Sequence, residues 1–333
     1  MLKKRLLIIL LLMIFLVGCQ RQDNKKVLNV LNWSAYIPDE VVHNFEKKYG
    51  IKVNYTTYSS NEELLAKITG SKEGTYDLIF PSDYMVELMI ERDLVSKMDI
   101  GRVTNLSNID TAFLNKSYDP NNEYSLPFLS TIVVIAVNRD KIDDSIFGYN
   151  DLLNSSYKNN IVLLDDQRIV IGMSLLAKGY DMSTTNNLEL NDAKEWLLKL
   201  KKNVKAYDSD SPKSFFLSDE VDIGLMWNAE AELAKLDNNN VEIIYPMEGH
   251  AISTDNFVIT KGAKNVDNAY LFIDYILSHD VADEITKEYP YISSVKTVHN
   301  SVVSNSTVFK NGYYVKNIGS DIRKYDRLWA DIK

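Results

Sequence analysis

Three segments of this 333-residue chain set an aromatic ring beside a small polar group: Trp33-Ser34-Ala35-Tyr36, Pro81-Ser82-Asp83-Tyr84 and Trp227-Asn228-Ala229-Glu230. Carboxylates take similar places at Asp165-Asp166 and at Asp255. Rings and acids together suit an organic ammonium. Once desolvated, an ammonium needs charge-assisted hydrogen bonds to carboxylates, while ring faces attract the cation and cover the methylenes beside it. A diamine would want such a clamp at each end. Every one of these residues also has a structural use. A Trp or Tyr after a strand packs a core, and Asp166 or Asp255 can cap a helix or pair with Arg168 or Lys261.

Signatures of catalysis are missing. His43, His250, His279 and His299 are scattered without metal-ligand spacing, and the sequence contains no Gly-x-Ser-x-Gly, no Gly-x-x-x-x-Gly-Lys and no Gly-x-Gly-x-x-Gly. No catalytic residue, metal or cofactor is therefore expected. The formal net charge of −9 disfavours a nucleic-acid partner. Acidity also serves solubility, so it does not identify a ligand.

The elements that would position these loops alternate in type. Strand-like 27–33, 51–57 and 76–80 alternate with helix-like 40–48, 62–69 and 85–91, an order that predicts a parallel sheet covered by helices. Asn61, and Ser82 or Asp83, read as N-caps, which puts the loops at the carboxyl ends of strands, where open α/β sheets bind ligands. The apolar run 131–138 reads as a buried crossing strand. A second α/β series follows in pieces at 161–164, 170–177, 193–201, 204–207, 223–226, 231–236 and 241–245. Strand 256–260 and helices 266–277 and 281–288 come after it. A chain this long exceeds what one core usually organises, so two lobes with the ligand between them are expected.

The N-terminus has a different character. Lys3, Lys4 and Arg5 precede an apolar run from Leu6 to Val17, too short to span a bilayer, which reads as a secretory signal peptide over residues 1–18. Its removal takes the formal charge from −9 to −12, because those three residues carry its only charges. Leu16-Val17-Gly18-Cys19 resembles a bacterial lipobox, with Cys19 the lipidation site, residues 19–26 a lipidated tether and the product an exported, membrane-anchored protein. Cys19 is the sole cysteine, so disulfides, thiol catalysis and cysteine-based zinc sites are excluded.

Longer stretches carry a family likeness. Leu31-Asn32-Trp33-Ser34-Ala35-Tyr36-Ile37-Pro38, Tyr76-Asp77-Leu78-Ile79-Phe80-Pro81-Ser82-Asp83-Tyr84, Leu164-Asp165-Asp166-Gln167-Arg168 and Pro246-Met247-Glu248-Gly249 resemble the spermidine/putrescine-binding proteins of bacterial ABC importers. That resemblance implies a type II periplasmic-binding-protein fold: two α/β lobes, a hinge and an inter-lobe ligand cleft. Lobe 1 would comprise 27–131 plus 252–305, and lobe 2 would comprise 132–251 plus 306–333. By position, Trp33, Tyr36, Tyr84 and Trp227 match aromatic walls, Ser34 and Ser82 match polar lining groups, and Asp166 and Asp255 match ammonium-binding acids. The implied partners are a polyamine, an ABC importer permease and, through the lipid, a membrane; the implied state is a monomer. Three positions depart from the family pattern: Ile169 stands for a Glu, Ser253 for a Trp and Val315 for a Gln. Glu230 could restore a third carboxylate, as in putrescine-binding relatives, or merely favour the dipole of its own helix. These features favour a putrescine-like diamine over spermidine. The open alternatives are another small cationic or amino-acid-like ligand, a secreted hydrolase using a carboxylate pair, and a surface adhesin with a vestigial cleft.

Overall fold

A computed structural model describes residues 26–34, 36–209, 211–296 and 310–333. The signal peptide, Cys19 and residues 20–25 of the tether lie outside the described residues. Lys26, assigned to the tether from sequence, already belongs to the first strand, β1 (Lys26–Trp33). Then come α1 (Asp39–Tyr49), β2 (Ile51–Tyr58), α2 (Asn61–Gly70), β3 (Leu78–Ile79) and α3 (Asp83–Glu91) in the expected alternation. β1 pairs in parallel with both β2 and β3. Helix α1 shows why the local sequence folds this way. Asp39 and Glu40 open it, Lys47 and Lys48 close it, and Gly50 ends it in the left-handed conformation at φ 64°. Val41 and Phe45, one turn apart, supply its buried stripe. Helix α2 is capped by Ser60, which accepts the Glu63 N–H at 3.1 Å, not by Asn61. The Asn61 amide instead ties the helix to Ser82.

The expected parallel sheet is in fact mixed. Strands β4 (Ser125–Asn138) and β9 (His250–Ile259) cross it antiparallel to their neighbours in the order β2-β1-β3-β9-β4-β7-β5-β6, where β5 is Ile161–Leu163, β6 Val204–Tyr207 and β7 Ile223–Trp227. Every residue of β4 is buried. It begins before the expected 131 because residues 125–132 already pair with β9, and β9 begins before the expected 256 for the same reason. From Val133 onward β4 pairs with β7 (Ile223–Trp227) instead, and β8 (Val241–Ile244) also joins it. Both crossing strands thus run from one half of the molecule into the other. Two short strands escape the sequence reading: β10 (Ile292–Ser293) on β4 and β11 (Gly312–Tyr314) on β9.

The second half contains β5 (Ile161–Leu163), α4 (Gln167–Ala177), α5 (Asn187–Leu200), β6 (Val204–Tyr207), α6 (Lys213–Leu217) and α7 (Asn228–Asp237). Of the remaining helices, α8 (Val266–Ile276) and α9 (His279–Glu288) bury Phe272, Ile273 and Ile285 with Leu28, Val30 and Phe45 of the first half. Helix α10 (Ile322–Ile332) buries Tyr325, Leu328 and Ile332 with Val170 and Leu197 of the second. Both crossing strands contribute to each of these two cores, and two smaller hydrophobic clusters also draw on them. Among the described residues no helix is long and apolar enough to cross a membrane, and no His, Cys, Asp or Glu cluster is arranged to hold a metal ion.

Candidate ligand site

Asp255 sits at the centre of the most connected group of candidate residues. It lies on β9, 4% exposed, and forms an isolated bridge with Ser82 at the start of α3. The Ser82 hydroxyl donates to Asp255 Oδ1 at 2.6 Å, and the Tyr36 hydroxyl donates to Oδ2. Ser82 occupies the N-cap position of α3 yet makes no side-chain capping bond, because its hydroxyl is committed to Asp255. The Trp33 indole N–H donates to the Phe80 carbonyl at 3.0 Å, and its ring lies 4.6 Å from that of Tyr58. Burial pushes the Asp255 carboxyl up to about 6, although the Ser82 and Tyr36 hydroxyls that donate to it pull it down. The same burial, reinforced by the Asp255 charge, holds the Tyr36 phenol well above its ordinary value. Among the described residues no cation forms an ion pair with Asp255 or is a named influence on it. Lys261, a possible partner by sequence, pairs with Asp93 instead.

A second group meets around Tyr84. Its ring faces the Arg168 guanidinium at 5.5 Å, and its hydroxyl reaches Glu62 Oε1 at 3.4 Å. Arg168 is buried, donates to the Lys316 carbonyl and lies 5.4 Å over the Tyr325 ring. Asp166 caps α4, with Oδ1 accepting the N–H groups of Arg168 at 2.8 Å and Ile169 at 3.1 Å. Capping is thus its structural use, while burial and the facing Glu62 charge raise its carboxyl above the ordinary value despite the two amides.

The residues after β7 approach from the second half. Trp227 ends the strand, half-buried against the second core, and pairs with Val133. Asn228 is fully buried, its Oδ1 accepting the Thr131 hydroxyl at 2.9 Å and the Ile132 N–H at 3.0 Å. Glu230 keeps one buried oxygen, Oε2, without a hydrogen-bond partner. Burial raises its carboxyl above the ordinary value, against the pull of Lys213. Its charge is felt by Tyr291, whose ring lies 4.7 Å from that of Tyr36. Contacts thus run from Asp255 through Tyr36 to Tyr291, whose phenol the Glu230 charge raises further.

The structure joins Tyr36 and Ser82 to Asp255 through direct hydrogen bonds, sets Trp33 beside Tyr58 with both donating to the Phe80 carbonyl, brings Tyr84 and Asp166 together around Arg168, and leaves Glu230 without a direct contact to the Asp255 group among the described residues. Ser34 is exposed, with its amide donating to the Tyr58 carbonyl at 3.3 Å. Of the departures from the family pattern, Ile169 and Val315 are buried in the second core and Ser253 is half-buried opposite Thr131. Sequence reasoning missed Tyr291 and Glu62. Tyr291 follows a helix with no strand alternation to mark it, and Glu62 reads as an ordinary acid in a first helical turn.

Comparisons with known proteins bear on the family and the fold. A family model described as bacterial extracellular solute-binding protein matches residues 40–310. The spermidine/putrescine-binding periplasmic protein of Escherichia coli is 34% identical over 322 residues, covering 93% of this chain and 92% of the relative. The putrescine/cadaverine-binding protein of Pseudomonas aeruginosa is 26% identical, with 99% of each chain covered. Among solved structures, the TpPotD lipoprotein of Treponema pallidum superposes with a TM-score of 0.87 at 26% identity, over 92% of this chain and 99% of that one. The spermidine/putrescine substrate-binding protein PotD of Streptococcus pneumoniae gives 0.79 at 29% identity, over 92% and 98%.

Proposed function

The chain belongs to the bacterial extracellular solute-binding proteins, and from that premise we propose that it captures a small polyamine, a putrescine-like diamine in preference to spermidine, and hands it to an ABC importer. Its architecture is the two-lobed periplasmic-binding-protein fold, and it is a binding protein, not an enzyme. The observation that carries the ligand class is Asp255. A carboxylate buried without a cation is unfavourable in the empty protein, and an arriving ammonium offsets that cost. Trp33, Tyr36 and Tyr291 supply ring surface beside it for the cation and its methylenes.

The preference for a diamine is supported by Glu230. A buried carboxylate oxygen with no hydrogen-bond partner suits a second ammonium, and the Glu230 charge acts on Tyr291, which stacks near Tyr36 beside the first. Ile169, where the family likeness implies a Glu, removes one anionic clamp. Asp166, Tyr84, Trp227, Ser82 and Ser34 complete the proposed lining. The lobes, 27–131 plus 252–305 and 132–251 plus 306–333, would close on the ligand about β4 and β9, and the monomeric protein would be held to its membrane by lipid on Cys19. Capture needs no chemical step.

Calorimetric titration with putrescine and spermidine tests this reading. Tighter putrescine binding supports it, clearly tighter spermidine binding overturns the diamine preference, and silence with both amines overturns the ligand class. A second reading, an amino-acid-like or guanidino ligand, draws on Ile169 and Ser253. Native mass spectrometry of protein purified with its endogenous ligand separates the two.

A further inference from the structure

Asp83 lies between two residues of the proposed ligand site, Ser82 and Tyr84, yet its own side chain turns into the interior and is 1% exposed. Its Oδ1 accepts the Tyr84 N–H at 2.7 Å, and its Oδ2 accepts the Thr254 N–H of β9 at 3.2 Å. The next residue along β9 is Asp255, bonded to Ser82. Two adjacent residues of one loop are thus fastened to two adjacent residues of one strand, one fastening reaching the ligand carboxylate and the other lying behind it.

We propose that Asp83 is a positioning residue that sets Ser82 against Asp255 and gives up a proton to solvent when a cationic ligand arrives at Asp255. This inference rests on the polyamine reading of the site. No salt bridge satisfies Asp83 among the described residues. The charged and titratable groups facing it are Asp255 on β9, Arg168 on α4, Tyr118 from the loop before β4 and Tyr314 on β11. Of these, Arg168 favours the ionised carboxyl and Asp255 opposes it, while the phenols of Tyr118 and Tyr314 stay neutral because burial holds them above their ordinary range. Burial is the largest influence on Asp83 and pushes it up to about 8, which favours the protonated carboxyl in the empty site at neutral pH against the pull of the two amides and Arg168. A cation bound at Asp255 cancels the nearest opposing charge, and the carboxyl, already accepting two amide bonds, ionises more readily. Binding that lowers a proton's affinity must itself strengthen as pH rises.

Titration calorimetry with putrescine at pH 7.5, run in phosphate and in Tris, counts the protons released with each ligand bound. We expect fractional proton release in the parent protein and an affinity that climbs several-fold between about pH 7 and about pH 8.5, where alkylammonium groups remain charged. Asp83→Asn should abolish both the release and that climb while keeping the weaker dependence near pH 6 that Asp255 imposes. Asp83→Ser replaces it if the amide variant does not fold. Binding without proton release by the parent, or release unchanged in a folded variant, overturns the coupling and leaves the polyamine reading intact. Absence of any binding by the parent overturns the polyamine reading, and the coupling with it.

Discussion

At the scale of single residues, the arrangement at Asp255 is unfavourable in the empty protein, as the proposed ammonium site requires. A carboxyl at about 6 in the folded protein, against an ordinary 3.8, favours folding below the ordinary value and loses that contribution as pH rises through 6. Its ionised form therefore weakens the empty protein at neutral pH by about 3 kcal/mol. Asp255→Asn should raise the melting temperature of the empty protein by several degrees at pH 7.5, lose that advantage near pH 4, and abolish polyamine binding; differential scanning fluorimetry and calorimetry read the two effects. A variant less stable than the parent at pH 7.5 would show that the Ser82 and Tyr36 bonds outweigh burial. Glu230→Gln makes the complementary case. It removes the charge facing the second ammonium, so putrescine affinity should fall by at least about tenfold, as loss of a charge-assisted bond implies, with little change in spermidine affinity. Equal losses for both amines would place Glu230 outside ligand discrimination.

At the scale of elements, the site depends on how strands and helices of the first half are fastened together. Asp77, fully buried just before β3, accepts the Asn29 amide and side chain from β1 and the Lys264 and Asn265 amides that lead into α8. Asp77→Ala leaves several buried donors unpaired and should cost about 3 kcal/mol or more, seen as a lower urea midpoint. Ser60→Ala, which removes only the cap of α2, should cost about 1 kcal/mol. The contrast between Ser60 and Asn61 shows where local pattern stops being informative. Both are good capping residues one position apart, and the choice between them falls to Asn61's bonds with Ser82, a residue far along the chain.

At the scale of the whole molecule, β4 and β9 are the elements shared by both cores, so the proposed closure is a rotation about them. Putrescine at a hundred times its dissociation constant should stabilise the protein by about 2.7 kcal/mol through mass action, and the radius of gyration from small-angle scattering should shrink. A melting shift without a change in dimensions would mean capture by lobes that are already closed.

The sequence by itself determined the alternation of strands and helices, the aromatic and acidic loops that follow strands, and the family likeness, because each is written in local periodicity or a contiguous motif. It could not determine that the sheet is mixed, since antiparallel crossing by β4 and β9 depends on partners more than a hundred residues apart. Nor could it reveal Tyr291, the approach of Glu62 to Tyr84 and Asp166, or the buried turn of Asp83. Those roles arise only when distant segments meet, because desolvation, charge proximity and the direction of a side chain are properties of the packed molecule and not of the residues in order.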